Sequence, residues 1–237
     1  MMGRAPRALL TVRDLTAGRG CGRILSGLDL DVRRNEIVAL VGPPGAGKTT
    51  VMEAVAGLIR SERGTVRLGD ADLTRLPAER IVARGLAYVP ADLCLFDGLT
   101  VAENLRLGAR RPRPDLEPVL GLFPVLGGRL GRLAGSLPHG ERRVCAMARA
   151  MMGGPRLLMI DDVSHGLAPK NVDEVMRYLG DIRASGTSVL LAEQEVETAL
   201  SVADRAYVMA GGAVVASGTA GRMLTDPRIR SEYLGVL

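Results

Sequence analysis

Apolar runs bounded by glycine, proline and polar residues divide the chain into short strands and helices. The runs at residues 37–41, 157–160 and 188–192 are almost entirely apolar, which is typical of strands that are buried on both faces of a parallel sheet. Residues 9–12 and 28–32 instead alternate apolar and polar positions, as half-buried strands do. Because helical segments follow most of the strands, the order of elements predicts an α/β fold with a mostly parallel sheet.

Residues 91–150 differ from the rest, because helical signals replace the strands there. A capping box at residues 100–103 predicts the start of one helix, and the apolar face of residues 141–152 predicts a second. The length permits one large domain or two small ones. Since no repeat or linker composition is visible, we interpret residues 8–237 as a single domain with a helical subdomain at about 91–150. Residues 227–237 are predicted to form a short helix or a tail.

Composition excludes several classes of protein. Hydrophobic residues make up 47% of the chain, and no apolar run reaches the roughly 18–20 residues of a membrane span. The net charge of +5 permits nucleic acid or an anionic membrane as a partner. However, the arginines are dispersed and aromatic residues make up only 3% of the chain, so we expect no nucleic-acid partner. The few, widely spaced cysteines favour a reducing cytosol.

The first candidate site follows the apolar run at residues 37–41. Gly42, Gly47, Lys48 and Thr49 satisfy the pattern G-x-x-x-x-G-K-[ST], in which loop amides and a helix amino end point at a polyphosphate. Lys48 adds a positive charge for the outer phosphates, and the Thr49 hydroxyl is placed to ligate Mg²⁺. Pro44 has no N–H, so one donor is missing. The residues predicted to bind the phosphates are Gly42, Gly45, Ala46, Gly47, Lys48, Thr49 and Thr50.

A second candidate site follows the apolar run at residues 157–160. Four apolar residues and then Asp161 form the Walker-B pattern, in which the first acid holds Mg²⁺ directly or through water. Asp162 beside it is suited to orient or deprotonate an attacking water. The simpler alternative is an acidic pair that caps the next element. A parallel sheet binds ligands at the carboxyl ends of its strands, so the phosphate loop favours the nucleotide interpretation.

Together these motifs resemble the ATP-binding cassette (ABC) transport ATPases over nearly the whole chain. Within that family the chain is similar to the ATP-binding subunits of branched-chain amino-acid uptake systems. The resemblance implies a P-loop NTPase fold with a mostly parallel core sheet, an N-terminal antiparallel β subdomain and a helical subdomain. The narrower likeness is carried by residues 15–18 (LTAG), 88–90 (YVP), 99–101 (LTV), 103–105 (ENL), 166–169 (GLAP), 192–194 (AEQ), 203–208 (ADRAYV) and 233–235 (YLG).

The resemblance also implies a mechanism and partners. Two cassettes, identical or different, dimerise head to tail and trap ATP and Mg²⁺ between one phosphate loop and the partner's signature motif. Integral membrane permease subunits complete the complex at the cytoplasmic face of the membrane. The usual signature is Leu-Ser-Gly-Gly-Gln/Glu. In this chain Pro138 replaces the serine, which removes a hydroxyl and an N–H, and His139 places a ring where glycine allows close approach. The matching residues here are Leu137, Pro138, His139, Gly140 and Glu141.

Four further positions bear on hydrolysis. Arg19 occupies the place of the aromatic residue that usually stacks on adenine, and a guanidinium can also stack. Ala91 replaces the Gln or Glu that senses nucleotide and faces the membrane partner. Asp162 replaces a catalytic Glu, which shortens the side chain by one methylene and displaces its carboxylate. Gln194 stands at the switch position, where this subgroup often has Gln, and we predict catalytic roles for Asp162 and Gln194.

Three functions are compatible with the sequence. The first is an ATPase subunit that drives uptake of branched-chain or related amino acids. The second is a cassette that binds ATP and completes a heterodimer but hydrolyses little itself, which the altered signature favours. The third is a non-transport cassette that acts on nucleic acid or ribosomes, and the absence of a second cassette or a heptad run disfavours it.

Overall fold

The computed structural model describes residues 8–20 and 22–226. The motif at 233–235 and the predicted helix or tail at 227–237 lie outside these residues. The strands fall into a six-stranded sheet ordered β10-β9-β3-β8-β7-β6 and a four-stranded sheet ordered β2-β1-β4-β5. Their bounds are β1 (Ala8–Arg19), β2 (Gly22–Arg33), β3 (Ile37–Val41), β4 (Ser61–Leu68), β5 (Ala71–Asp72), β6 (Leu86–Val89), β7 (Leu157–Asp161), β8 (Ser188–Glu193), β9 (Arg205–Ala210) and β10 (Ala213–Thr219).

The six-stranded sheet is the core of the fold. Strands β3, β6, β7, β8 and β9 run parallel, and only β10 pairs antiparallel, with β9. Every residue of β3, β7 and β8 is buried, as their apolar sequences predict. In the register of this sheet, Val41 pairs with Glu193 and Asp161 pairs with Ala192, so the predicted sites meet at one edge. The predicted fold class is therefore confirmed.

The four-stranded sheet is antiparallel throughout and forms the N-terminal part of the described chain. The strands predicted at 9–12 and 28–32 are confirmed, but β1 and β2 are each 12 residues long. Register shifts interrupt β1 after Val12, and Asp14 has φ 52° at this irregularity. Because such shifts break the alternation of apolar and polar positions, the pattern reveals only part of each strand.

The helices form layers on both faces of the core sheet. Val38 and Leu40 pack with α1 and the antiparallel sheet, while Ile37, Ala39 and Val41 pack against the helices of the other face. No helix within residues 8–20 and 22–226 is long and apolar enough to cross a membrane. The helices are α1 (Lys48–Val55), α2 (Ala78–Ala83), α3 (Val101–Leu107), α4 (Glu117–Leu122), α5 (His139–Met151), α6 (Pro169–Ala184), α7 (Val196–Val202) and α8 (Ala220–Thr225).

Residues 91–150 contain α3, α4, α5 and two short 3-10 turns, Pro124–Arg129 and Ala134–Ser136. The predicted capping box is present, because the Thr100 hydroxyl accepts a hydrogen bond from the Glu103 N–H and the Glu103 carboxylate accepts one from the Thr100 N–H. Helix α5 begins two residues before the predicted start at 141. The extent of a helical subdomain, at about 91–150, stays a prediction.

Candidate nucleotide-binding site

The loop between β3 and α1 requires glycine at two positions. A Cβ atom at Gly42 would lie 2.3 Å from the Met209 carbonyl oxygen, so no side chain fits there. Gly47 precedes α1 with φ 100°, and a Cβ atom there would lie 2.9 Å from Leu25 Cδ2. The sequence therefore folds into a tight loop because β9 and β2 pack directly against it.

The amino end of α1 faces the same loop. Among the described residues, no side chain caps this helix, and its first turn contains no acidic residue. The first backbone N–H groups of a helix have no acceptor within the helix, so they suit an anionic ligand. The loop and α1 thus form a cradle for phosphate, from which the proline at position 44 removes one donor.

Lys48 lies against this loop and is largely buried. Its ammonium donates to the carbonyl oxygens of Gly42 at 2.6 Å and of Pro43 at 3.1 Å. Burial lowers the pKa of Lys48, and the charges of nearby carboxylates oppose this shift, Asp161 most strongly. The side chain is therefore held beside the cradle, where it can exchange carbonyl partners for phosphate oxygens.

Asp161 ends β7 and has 2% of its surface exposed. Its carboxylate accepts a hydrogen bond from the Tyr88 hydroxyl at 3.4 Å. Burial raises the pKa of Asp161 and the charge of Asp162 raises it further, while the Thr49 hydroxyl beside it works to lower it. A hydroxyl and a carboxylate that line one cleft are the hard oxygen donors that Mg²⁺ prefers, so the predicted metal ligands Thr49 and Asp161 fit that ion.

Asp162 follows β7 with φ 53°, a backbone conformation that is uncommon outside glycine. Its Oδ2 accepts a hydrogen bond from Gln194 Nε2 at 2.9 Å, and His165 Nδ1 lies 3.7 Å from the same oxygen. The structure therefore brings the two predicted catalytic residues into direct contact, although they are far apart in sequence.

One cleft of about 420 Å³ collects most of the predicted residues. The carbonyl of Gly42 accepts from Lys48, although Gly42 itself does not line this cleft. We call it the nucleotide cleft and define it by its lining residues: Arg19, Ile24, Pro44, Gly45, Ala46, Gly47, Lys48, Thr49, Thr50, Ala91, Asp161, Asp162 and Gln194.

Arg19 lies at the rim of the nucleotide cleft and is more than half exposed. It forms an ion pair with Glu53 of α1, in which Nε donates to Oε2 at 3.1 Å. Hydrogen bonds and the charge of Glu53 raise the pKa of Arg19. The guanidinium is thus tethered at the edge of the cleft, and its stacking on adenine stays a prediction.

The residues that match the signature motif lie outside the nucleotide cleft. Pro138 precedes α5 with an extended backbone and offers no side-chain cap. His139 begins the helix and is largely exposed, and the partial desolvation of its ring together with the charges of nearby arginines lowers its pKa. Glu141 pairs with Arg129 at 2.9 Å, while Leu137 is buried in the core. A single chain therefore does not bring residues 137–141 to its own phosphate loop.

Sequence reasoning assigned no role to two buried charged residues near the cleft. Glu193, fully buried at the end of β8, accepts hydrogen bonds from the Ser164 N–H at 2.7 Å and hydroxyl at 2.8 Å. Burial raises the pKa of Glu193, and the Ser164 bonds oppose this. Arg143 of α5 has 1% of its surface exposed. Charged residues in otherwise apolar patterns were the available signal, because such residues are rarely buried without a specific partner.

Comparisons with known proteins agree with this geometry. The ABC transporter family model matches residues 25–165, more than half of the chain. The high-affinity branched-chain amino acid transport ATP-binding protein BraG of Pseudomonas aeruginosa is 37% identical over 216 residues, covering 89% of this chain and 93% of BraG. The lipopolysaccharide export system ATP-binding protein LptB of Haemophilus influenzae is 32% identical over 237 residues, covering 96% of this chain and 98% of LptB.

The fold has close counterparts among solved structures. The crystal structure of an ABC transporter ATP-binding cassette in its ADP conformation superposes with a TM-score of 0.85 and 22% identity, covering 97% of this chain and 99% of that one. This likeness extends the match to nearly the whole fold. The chain belongs to the ABC transporter family and is an ATP-binding cassette, the subunit type that hydrolyses ATP in transport.

Proposed function

We propose that this cassette binds MgATP in the nucleotide cleft and drives transport through separate membrane permease subunits. The observation that carries the proposal is the convergence of the phosphate loop, the acidic pair and Gln194 on one cleft. Bound Mg²⁺ would neutralise phosphate charge during hydrolysis. Thr49 and Asp161 would hold the ion, and Lys48 would bind the outer phosphates.

Asp162 and Gln194 are the proposed hydrolytic pair. The Gln194 amide fixes one carboxylate oxygen of Asp162 at 2.9 Å, which leaves the other oxygen to accept a hydrogen bond from an attacking water. A carboxylate on a shorter side chain reaches less far than that of glutamate, and a misplacement of about 1 Å can cost about 100-fold in rate. We therefore propose slow hydrolysis at this acid.

A second cassette is the proposed partner. Cassettes of this family act as dimers with permease subunits. In such a dimer, residues 137–141 of this chain would face the partner's nucleotide. Pro138 provides neither a hydroxyl nor an N–H for a phosphate, so a homodimer would contain two weakened sites. A heterodimer with a cassette that carries an intact signature is favoured because it retains one complete signature.

The proposed substrates are branched-chain or related amino acids, taken up by an importer. BraG, named for branched-chain amino acid transport, is 37% identical to this chain, against 32% for LptB, named for lipopolysaccharide export. Export of a lipid-like substrate is the second candidate, because LptB matches a slightly larger share of the chain. The permease subunits, rather than the cassette, would contact either substrate.

A shallow groove beside the nucleotide cleft is the proposed permease contact, which would place the cassette on the cytoplasmic face of the membrane. Val82, Phe96 and Leu107 line it and are each about half exposed, which is uncommon for large apolar side chains grouped together. Tyr88 also lines this groove, and its hydroxyl contacts Asp161 of the cleft. The groove is therefore connected directly to the predicted magnesium ligand.

The test is reconstitution in liposomes with membrane permease subunits and a partner cassette. We expect ATP-dependent uptake of leucine, isoleucine or valine that Lys48→Ala abolishes. Lys170→Ala is the matched control, because Lys170 is the other lysine of the chain and is exposed outside the cleft.

The outcomes separate the candidates. Full uptake with Lys48→Ala would refute the role of the cleft, and ATP-dependent movement of lipopolysaccharide instead of amino acids would favour export. If Asp162→Asn leaves the turnover of the complex unchanged, the partner cassette carries out the hydrolysis and this chain supplies binding only.

A further inference from the structure

Three contacts hold the unusual backbone at Asp162. Its N–H donates to the Ala192 carbonyl at 2.8 Å, and its carboxylate accepts from Gln194. Its carbonyl accepts a hydrogen bond from Arg143 Nη1 at 2.6 Å. A non-glycine residue in the left-handed region costs on the order of 1–3 kcal/mol and persists only where its surroundings fix it. The contact from Arg143 is therefore one of the anchors that set where the Asp162 carboxylate points.

The burial of Arg143 is explained by these carbonyl contacts rather than by packing. Its Nη2 donates to the His165 carbonyl at 3.2 Å, so the guanidinium spans both ends of residues 162–165. Within the described residues, its Nε has no hydrogen-bond partner. Burial lowers the pKa of Arg143, against the charges of Asp162 and Glu193. An apolar side chain would fill this space without that desolvation penalty.

Helix α5 connects this anchor to the signature residues. Arg143 lies about one helical turn beyond His139, which begins α5. The His139 ring packs against the same loop, since a Cβ atom at Gly166 would lie 3.4 Å from His139 Cε1. The first two turns of α5 and residues 162–166 therefore form one packed unit.

We propose that Arg143 is a positioning residue that fixes the Asp162 backbone and links it to the helix end that carries residues 137–141. The link rests on the proposed function, in which those residues face the partner's nucleotide while Asp162 serves the nucleotide of its own cleft. A movement of α5 against the partner's nucleotide would then be transmitted to Asp162, beside this chain's own nucleotide. The coupling is mechanical and passes through two hydrogen bonds to backbone carbonyls.

The test compares Arg143→Met and Arg143→Lys with the matched control Arg142→Met. Arg142 precedes Arg143 on α5 but makes its contacts away from the loop. It pairs with Asp97 at 2.7 Å and donates to the Ala134 carbonyl at 3.0 Å. Amide hydrogen exchange of residues 161–166 is measured on the full chain, alongside thermal unfolding. Steady-state hydrolysis is measured in the reconstituted complex to separate kcat from KM.

We expect Arg143→Met to speed exchange in residues 161–166 and to lower kcat about 10- to 100-fold, with KM for MgATP within about 2-fold. Arg143→Lys should restore part of the exchange protection and part of kcat, because an ammonium can donate to one carbonyl but cannot span two. Exchange and kcat equal to those of Arg142→Met would overturn the proposal. If the wild-type complex does not hydrolyse ATP, the proposed function fails, and the exchange comparison alone decides the role of Arg143.

Discussion

We expect Asp161 to lower the stability of the nucleotide-free chain while it supports magnesium-dependent binding. A single isosteric change should separate the two effects. Asp161 is 2% exposed and its carboxylate lies beside the like charge of Asp162, and both conditions raise its pKa against the opposing charge of Lys48. Asp161→Asn removes the charge and keeps the shape. The two hydroxyls beside it, from Thr49 and Tyr88, can rotate to accept from the new amide.

We expect Asp161→Asn to stabilise the nucleotide-free chain by about 1 kcal/mol, the order of magnitude of an upward pKa shift of a buried acid, because burial and the charge of Asp162 outweigh the opposing charge of Lys48. For a chain of this size that corresponds to a rise in Tm of about 2–4 °C. Magnesium-dependent binding should be lost at the same time. MgATP at about 100 times its Kd stabilises a binding-competent chain by about 2.7 kcal/mol, so the order of the two Tm values should reverse when MgATP is added.

The pH dependence has a definite sign. Because the pKa of Asp161 is raised in the folded state, the folded chain binds more protons than the unfolded chain between the two pKa values. The contribution of Asp161 to the free energy of unfolding is therefore most favourable below the pKa of an aspartate in the unfolded chain. It becomes less favourable as the pH rises through the folded pKa. The advantage of Asp161→Asn should grow across that interval in metal-free buffer.

The assay is thermal unfolding in EDTA over a series of pH values, repeated at one pH with MgATP. Asp162→Asn is the comparison variant, because it removes the like charge beside Asp161 but leaves the buried carboxylate of Asp161 in place, and its new amide oxygen can still accept from Gln194. A lower Tm for Asp161→Asn than for the wild type in EDTA, or a difference that does not vary with pH, would refute the reasoning. An equal rise in Tm on addition of MgATP in the wild type and in Asp161→Asn would also refute it.

Three further changes test other parts of the cleft. Lys48→Ala should weaken MgATP binding about 10- to 100-fold, measured by calorimetric titration, because a charge-assisted hydrogen bond is removed. Gly42→Ala should lower the free energy of unfolding by about 1–3 kcal/mol in denaturant titrations, since its Cβ atom would lie 2.3 Å from the Met209 oxygen. Arg19→Ala should weaken ATP binding about 2- to 5-fold, the size of an exposed cation–π contact, and equal affinity would argue against stacking.

Local patterns predicted the parts of the site that neighbouring residues determine. The strand Ile37–Val41 and the start of α1 at Lys48 are found where the sequence places them, because an apolar run, glycines and a helix start are all readable within one segment. The parallel order of strands then brings the acidic pair to the same edge of the sheet. These steps need only short-range signals and the rule that parallel strands present their carboxyl ends together.

The roles of Arg143 and Glu193 could not be predicted in this way. Arg143 contacts residues 162–165, which lie on a different element, and Glu193 binds Ser164 across the same loop. Such contacts depend on how α5 and β8 pack around the loop, which no local pattern specifies. A single sequence shows only that a charged residue interrupts an apolar pattern.

Altered positions occur at both nucleotide sites of the proposed dimer: Arg19, Ala91 and Asp162 line this chain's own cleft, and the signature carries the others. The unaltered groups proposed to bind this chain's own nucleotide and metal, Lys48, Thr49 and Asp161, meet in the same cleft. The groups that would serve the partner's nucleotide include Pro138 and His139, where a serine and a glycine are expected. With a partner cassette that carries the usual signature, this chain's own nucleotide would face an intact signature. The partner's nucleotide would face the altered signature at residues 137–141. Because Arg143 joins α5 to the loop at Asp162, the altered signature lies at the end of the same helix that positions the acid of this chain's own site. Weak engagement of the partner's nucleotide would then slow hydrolysis in the chain's own cleft, so restoring Pro138→Ser and His139→Gly should raise turnover at both sites, and a rise at the partner's site alone would contradict the coupling.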